Sequence, residues 1–413
     1  MRKARITIGF PAATLSFLTL YAASAAPIPL YDIYRRADGL SYSDLALTAV
    51  VYFVGAVTAL LVFGRVSNHL GRKPVIFAAF ALAAVASIIL LDVGSAAPLI
   101  VGRFLLGAAC GLASSAAAAY VVDQASSLPR WLPAAVVSNS PMVGLTAGAL
   151  VSGALVAYGP APRVLIYLVV LAGLAASALL IALGDEKLER TPGVLASLRP
   201  EFSLPRADRR LFPLAALSFV ATWALGGFYQ AFAPSIAADR LGTANTLTAA
   251  VIFSSYLLPS ALGGPLSSRL SPANAQRAGM VVFTLAVLGI LIALKHSMLI
   301  AFLAASAVAG TAQGAVLTGS IRSLLTDISP QERAGVLSLI YATAYTGAAV
   351  PSFIAGELSH VMDLFQIAVG YGFLALIACV VMLMFTRDPR QEKTARSENA
   401  EVACSAFRAE RTE

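Results

Sequence analysis

Charge is what this chain has least of. Lys, Arg, Asp and Glu make up 12% of its 413 residues, whereas a soluble domain carries about 25%. Hydrophobic residues make up 58%. That balance excludes a soluble enzyme, a disordered chain and a nucleic-acid binder. Three cysteines are too few for a disulfide framework. Cys110 and Cys379 lie in apolar runs and Cys404 in a polar one. No spacing among them, or with His69, His296 and His360, suits a metal site. No Gly-x-x-x-x-Gly-Lys-Ser/Thr occurs, so no P-loop holds a nucleotide. No soluble segment is large enough to hydrolyse anything, which excludes a self-contained ATP pump. No His or carboxylate cluster lies within the apolar runs, which argues against a membrane enzyme. No cofactor is expected.

Long apolar runs are what the chain has in abundance. A bilayer core takes about 20 apolar residues per helix. Runs of that length predict twelve spans, at 6–30, 44–63, 74–93, 97–121, 131–158, 163–184, 211–235, 245–267, 275–294, 297–321, 334–357 and 363–386. Two polar stretches are long, 185–210 and 387–413, and the first divides the spans six and six. The expected fold is all-α and integral to the membrane. It has a helical bundle at 1–184, a linker at 185–210, a second bundle at 211–386 and a disordered tail at 387–413. Cytoplasmic loops carry an excess of Lys and Arg. With the amino terminus inside, 23 of the basic residues fall on the inner side and five on the outer, and Arg103 lies within a span. Both termini are then cytoplasmic, in a plasma membrane such as the bacterial inner membrane. Arg2, Lys3 and Arg5 followed by an apolar run also resemble a signal peptide. The run is about 24 residues long, and an uncleaved first span preserves the six-plus-six division.

The halves echo each other. Gly107 and Gly111 in span 4 match Gly310 and Gly314 in span 10 at an offset of 203. Asp123 matches Asp327, Arg130 matches Arg333, Gly64 matches Gly264, and Pro141 answers Pro351. Duplicated bundles with a long connector are a transporter plan, with the solute site where the repeats meet.

The loop after span 2 reads Gly64-Arg-Val-Ser-Asn68-His69-Leu-Gly71-Arg72-Lys73. Span 4 reads Gly102-Arg103-Phe-Leu-Leu-Gly107-Ala-Ala-Cys-Gly111, and span 5 Ser140-Pro141-Met-Val-Gly144-Leu-Thr-Ala-Gly148. These segments resemble three signatures of the major facilitator superfamily, the third being that of its drug/proton antiporters. Asn68 stands where the pattern has aspartate and His69 where it has another basic residue. Ser140 and Leu145 replace glycines of the third signature. The resemblance implies two six-helix bundles related by pseudo-two-fold symmetry. It also implies a cytoplasmic gate of Gly64, Asn68, Gly71, Arg72, Lys73 and Asp123 that latches when the cavity opens outward. A proton-transfer role for Arg103 is implied too.

A charge at a helix centre costs about 2.5–3.5 kcal/mol on insertion scales. Arg103 therefore either faces the cavity as a coupling residue or snorkels to the interface. Its repeat counterpart is Ser306. No Asp or Glu lies mid-span, and Asp32, at the outer end of span 1, is the best proton-binding group. Tyr21, Asn139, Trp223, Tyr229, Gln230, Tyr256, Gln313, Tyr341 and Tyr345 are the expected lining. Aromatic rings with few hydrogen bonders suit an apolar or amphipathic solute. Gly107, Gly111, Pro141, Gly144, Gly148 and Pro351 read as helix packing and hinges. The expectation is a monomeric, proton-linked exporter of small apolar or amphipathic compounds in a lipid bilayer. A sugar or metabolite carrier, or a non-transporting receptor or scaffold, are the alternatives.

Overall fold

The computed structural model describes residues 2–125, 128–129, 131–186, 191–199, 211–325 and 330–386. Arg130, Asp327, most of the linker and the 387–413 tail lie outside the described residues, as do the side chains of Arg2, Lys3, Arg5 and Arg333. Twelve helices are long and apolar enough to cross a membrane, and no strand occurs among the described residues. They are Gly9–Asp38, Tyr42–Phe63, Arg72–Ile89, Ala96–Gln124, Trp131–Tyr158, Leu165–Leu183, Phe212–Asp239, Thr246–Ser267, Pro272–Lys295, Leu299–Leu324, Gly335–Leu358 and Leu364–Phe385. They are numbered here as spans 1 to 12.

Local chemistry sets the helix starts. Ser41 and Asp44 form a capping box at span 2, and Asp363 and Gln366 another at span 12. Each box satisfies two backbone donors that a helix start leaves free. Asn245 and Ser271 cap spans 8 and 9 in the simpler way. Span 1 is longer than the apolar run suggests. Past Pro27 a short 3-10 turn, Ile28–Leu30, leads into a polar helix, Tyr31–Asp38, which ends on a left-handed Gly39. Span 4 carries a π turn at Ala113–Ala117.

The repeat in the sequence is a repeat in the packing. A Cβ on Gly107 would run into the carbonyl of Tyr52, and one on Gly111 into that of Ala56. In the other half, Gly310 meets the carbonyl of Tyr256 and Gly314 that of Ser260. Spans 2 and 4 thus touch backbone to backbone, as do spans 8 and 10. Small residues permit that approach. Gly144 and Gly148 bring span 5 equally close to Leu18 and Ala22 of span 1. Pro141 and Pro351 both stand inside continuous helices.

The bundle has two ends. The near face is the one with the 64–71 loop. There Arg322 donates to Leu270 O (3.2 Å) and Arg277 to Thr386 O. On the far face, Arg163 pairs with Asp38, and Arg240 with Asp363 at 2.7 Å. The Gln366 amide and the Arg240 guanidinium hold the Asp363 carboxyl below its usual range.

Candidate functional site

Between the halves lies a cavity of about 260 Å³. Tyr21, Trp223, Gln230, Tyr256, Gln313, Tyr341 and Tyr345 line it, as expected from the sequence. Phe17, Tyr52, Phe53, Ser114, Ser138, Met142 and Phe253 join them. So does Pro141, read from the sequence only as a hinge. Leu60, Val137 and Leu317 extend the wall towards the near face.

The wall is organised by ring contacts. Trp223 meets Tyr345 edge-on at 5.3 Å, and Phe53 lies 6.1 Å from the same ring. The π turn of span 4 presents Ser114 to the cavity, where its oxygen lies 2.6 Å from the Tyr21 hydroxyl. π turns recur at functional sites because they re-aim a side chain. Two wall atoms have no hydrogen-bond partner, the Trp223 indole Nε1 and the Gln230 Oε1. One is a donor and the other an acceptor. They sit seven residues apart on span 7, two turns and so on one face.

Four other residues expected to line the cavity or to couple transport lie off the wall. Asn139 is turned back on its own helix and donates to Ala135 O at 2.9 Å. Tyr229 is fully buried behind Tyr256, stacked at 5.0 Å, and bonded to Ser306. Asp32 lies at the far face and bonds Arg35 and Arg36, each at 2.8 Å. A carboxylate within the turn of two arginines is neutralised by them, so it sits away from the apolar wall.

Arg103 is the fourth. It neither faces the cavity nor snorkels, being 0% exposed. Its guanidinium carbon lies 4.4 Å from the Tyr52 ring centroid, and Nη1 donates to Ser24 O at 2.5 Å. Tyr52 belongs to the wall, so one ring separates Arg103 from the cavity. Nε and Nη2 have no hydrogen-bond partner. The Tyr31 hydroxyl is a neighbour of the guanidinium, yet Nε and Nη2 remain without a partner. A desolvated cation–π contact is worth about 2 kcal/mol. That roughly offsets the insertion cost of about 2.5–3.5 kcal/mol, but each free donor adds about 1–3 kcal/mol.

The far side of the cavity is shut. Tyr31, Phe228, Phe232 and Ile236 are buried there. Arg35 of span 1 reaches Asp239 of span 7 at 3.3 Å, and the Tyr42 hydroxyl donates to Asp239 at 2.5 Å. Thr246 of span 8 donates to Gly153 O of span 5 at 3.0 Å. These contacts join the two halves.

On the near face the expected cluster forms. Arg72 donates to Asp123 (3.1 Å), Ser67 (2.8 Å) and Asn68 (2.5 Å). Its members all belong to the first half, and the cluster is complete while the far side is shut. These contacts tie spans 2, 3 and 4 together. Gly71 adopts φ 96°, which glycine takes without strain. The Lys73 amide donates to Glu186 at 2.8 Å and its ammonium to Gly184 O at 2.6 Å. Gly64 closes span 2, donating to Leu60 O at 3.0 Å.

The sequence model of the Major Facilitator Superfamily matches residues 13–293 and 231–412. The chain belongs to that superfamily. It is an integral, multi-pass membrane protein. Over 96 residues it is 33% identical to the multidrug resistance protein MdtL of Klebsiella pneumoniae, covering 23% of this chain and 24% of that protein. Over 135 residues it is 32% identical to the efflux pump FUB11 of Gibberella moniliformis, covering 33% of this chain and 23% of that one. The chain thus spans about a quarter of the length of these curated relatives. The crystal structure of the nucleoside transporter NupG superposes with a TM-score of 0.67 at 13% identity, over 92% of this chain and 100% of that one. At that identity the likeness is one of fold.

Proposed function

We propose that this transporter exports small amphipathic compounds by alternating access, driven by a proton gradient. The observation that carries the reading is the cavity, walled by rings and shut on its far side. An apolar wall with a few placed polar atoms holds amphipathic solutes and orients them. The free Trp223 donor and Gln230 acceptor supply that orientation. A sugar would need many more hydrogen bonders than this wall presents.

The basic bias supports a cytoplasmic near face, with both termini on that side, in a membrane of the bacterial inner type. The cavity then loads from inside. Partial matches to proteins named as multidrug and efflux pumps support the same direction. In this reading Asp32 belongs to the coupling machinery, because with Arg35, Arg36 and Asp239 it forms the ionic cluster that closes the far face. The transporter works as a monomer, because one chain encloses the whole cavity.

Purified protein in liposomes tests this, with a fluorescent amphipath loaded and the pH gradient imposed or collapsed. Gradient-dependent flux that falls in Gln230→Ala is expected. Flux that ignores the gradient would remove proton coupling. Absence of flux for amphipaths of several chemistries would remove the export reading.

A further inference from the structure

Arg103 is the one charged side chain that is buried among the described residues. Its positive charge has no buried carboxylate to meet it. The acids within the spans sit towards the span ends, such as Asp44 in the capping box of span 2 and Asp239 at the end of span 7, and Asp32 is already paired with Arg35 and Arg36. What Arg103 does contact is neutral, namely a carbonyl oxygen and the ring of Tyr52. The fold does not need a cation there. In the second half, the matching Ser306 bonds Tyr229, whose ring covers Tyr256 as the guanidinium covers Tyr52.

The two donors left free are not arbitrary. Nε and Nη2 are adjacent on one edge of the guanidinium, and their N–H bonds run parallel. That edge takes a carboxylate in two parallel bonds. Only the Tyr52 ring stands between it and the cavity. The Tyr52 hydroxyl is held by a contact of 3.5 Å to Ser24, at the weak limit for a hydrogen bond. Movement of that ring would uncover the edge.

We propose that the free edge of Arg103 is an anion site, and that the solute is an amphipathic organic acid. Its rings lie on the aromatic wall, and its carboxylate reaches Arg103 past Tyr52. The proposal rests on reading the cavity as the solute site. An inorganic anion such as chloride shares the charge, but a planar oxyanion matches the two-pronged edge better.

The test uses the purified full chain in detergent and two probes of one shape, 4-phenylbutyrate and 4-phenylbutyramide. Quenching of tryptophan fluorescence follows binding, since Trp223 is in the wall. At neutral pH and without chloride, the acid should bind at least about tenfold more tightly than the amide, as a charge-assisted pair requires. Arg103→Gln should bring the two within about twofold while the amide's affinity stays. Equal binding of acid and amide by the unaltered protein overturns the proposal, and that arm needs no variant to fold. So does an acid preference that survives Arg103→Gln. Loss of acid binding on adding chloride would give the edge to an inorganic anion and remove the organic acid. Amide binding without acid preference leaves the cavity reading standing. Failure of both probes to bind brings down that reading and this one together.

Discussion

Arg103 and Tyr229 hold equivalent places in the two halves. The guanidinium of one lies 4.4 Å over the ring of Tyr52, and the ring of the other stacks 5.0 Å over Tyr256. Tyr52 and Tyr256 in turn give their carbonyls to Gly107 and Gly310. One packing scheme is therefore filled once by a cation and once by a neutral ring that hydrogen-bonds Ser306. The difference between the halves is one of charge.

Replacing Arg103 by methionine should not destabilise the protein. Methionine keeps most of the volume and removes two unpaired donors, each worth about 1–3 kcal/mol when buried. Arg103→Ala should instead lower the melting temperature, because it leaves a void under Tyr52. Thermal melts in detergent check both. Transport should be lost in each variant.

Alanine at Gly107 or Gly310 should be harmful to a similar degree. Its Cβ would meet a carbonyl in both places, and overpacking costs about 1–3 kcal/mol. Lower melting temperatures and poorer yields of folded protein are the expected readouts. Native stability in either variant would mean that the paired helices separate freely.

Asp239→Asn should open the far face. Asp239 receives Arg35, Arg36 and Tyr42 from the other half. An exposed pair is worth about 0.2–1 kcal/mol, so the open population should rise about two- to fivefold. Labelling of a cysteine at Gln230 by a membrane-impermeant reagent from the far side reports it, in a background without the native cysteines. Unchanged labelling would show that the apolar plug alone holds the closure.

Asn68→Asp should strengthen the near-face cluster. Asn68 already accepts from Arg72 at 2.5 Å, and a carboxylate makes that bond charge-assisted. A gain below about 1 kcal/mol is expected at this exposed position. A melt comparison with Arg72→Ala, which should lose stability, gives the sign.

The spans were legible because apolar length alone marks them. The seven expected residues that border the cavity were legible as aromatic or amide groups in the spans that face the repeat interface. Tyr52 and Phe53 were not, because nothing in the apolar run of span 2 marks one face. A soluble helix advertises its inner face by contrast with a polar one. A span is apolar all round, so helix rotation leaves little trace. That is why Asn139 and Tyr229 were read as lining and lie off the wall, and why the direction of Arg103 stayed open. Asp32 lies at the outer end of span 1, as read, but its partners were not legible. The sequence shows the carboxylate but not that Arg35 and Arg36, three and four residues on, fold back onto it. The glycine pairs were read as packing, which is where the structure puts them.

The glycine seams have a mechanical consequence. Where backbone rests on backbone, as between spans 2 and 4 or 8 and 10, no side chain is left to bend or shear. Each pair then behaves as a stiff plank. Compliance is left to the seams between the halves, where Gly153 meets Thr246 and Gly356 meets Ala46. The molecule resembles tweezers gripped at their tips, with the ionic cluster of Asp239 as the grip. A change of about 1 kcal/mol there is levered along rigid arms into the width of the whole cavity.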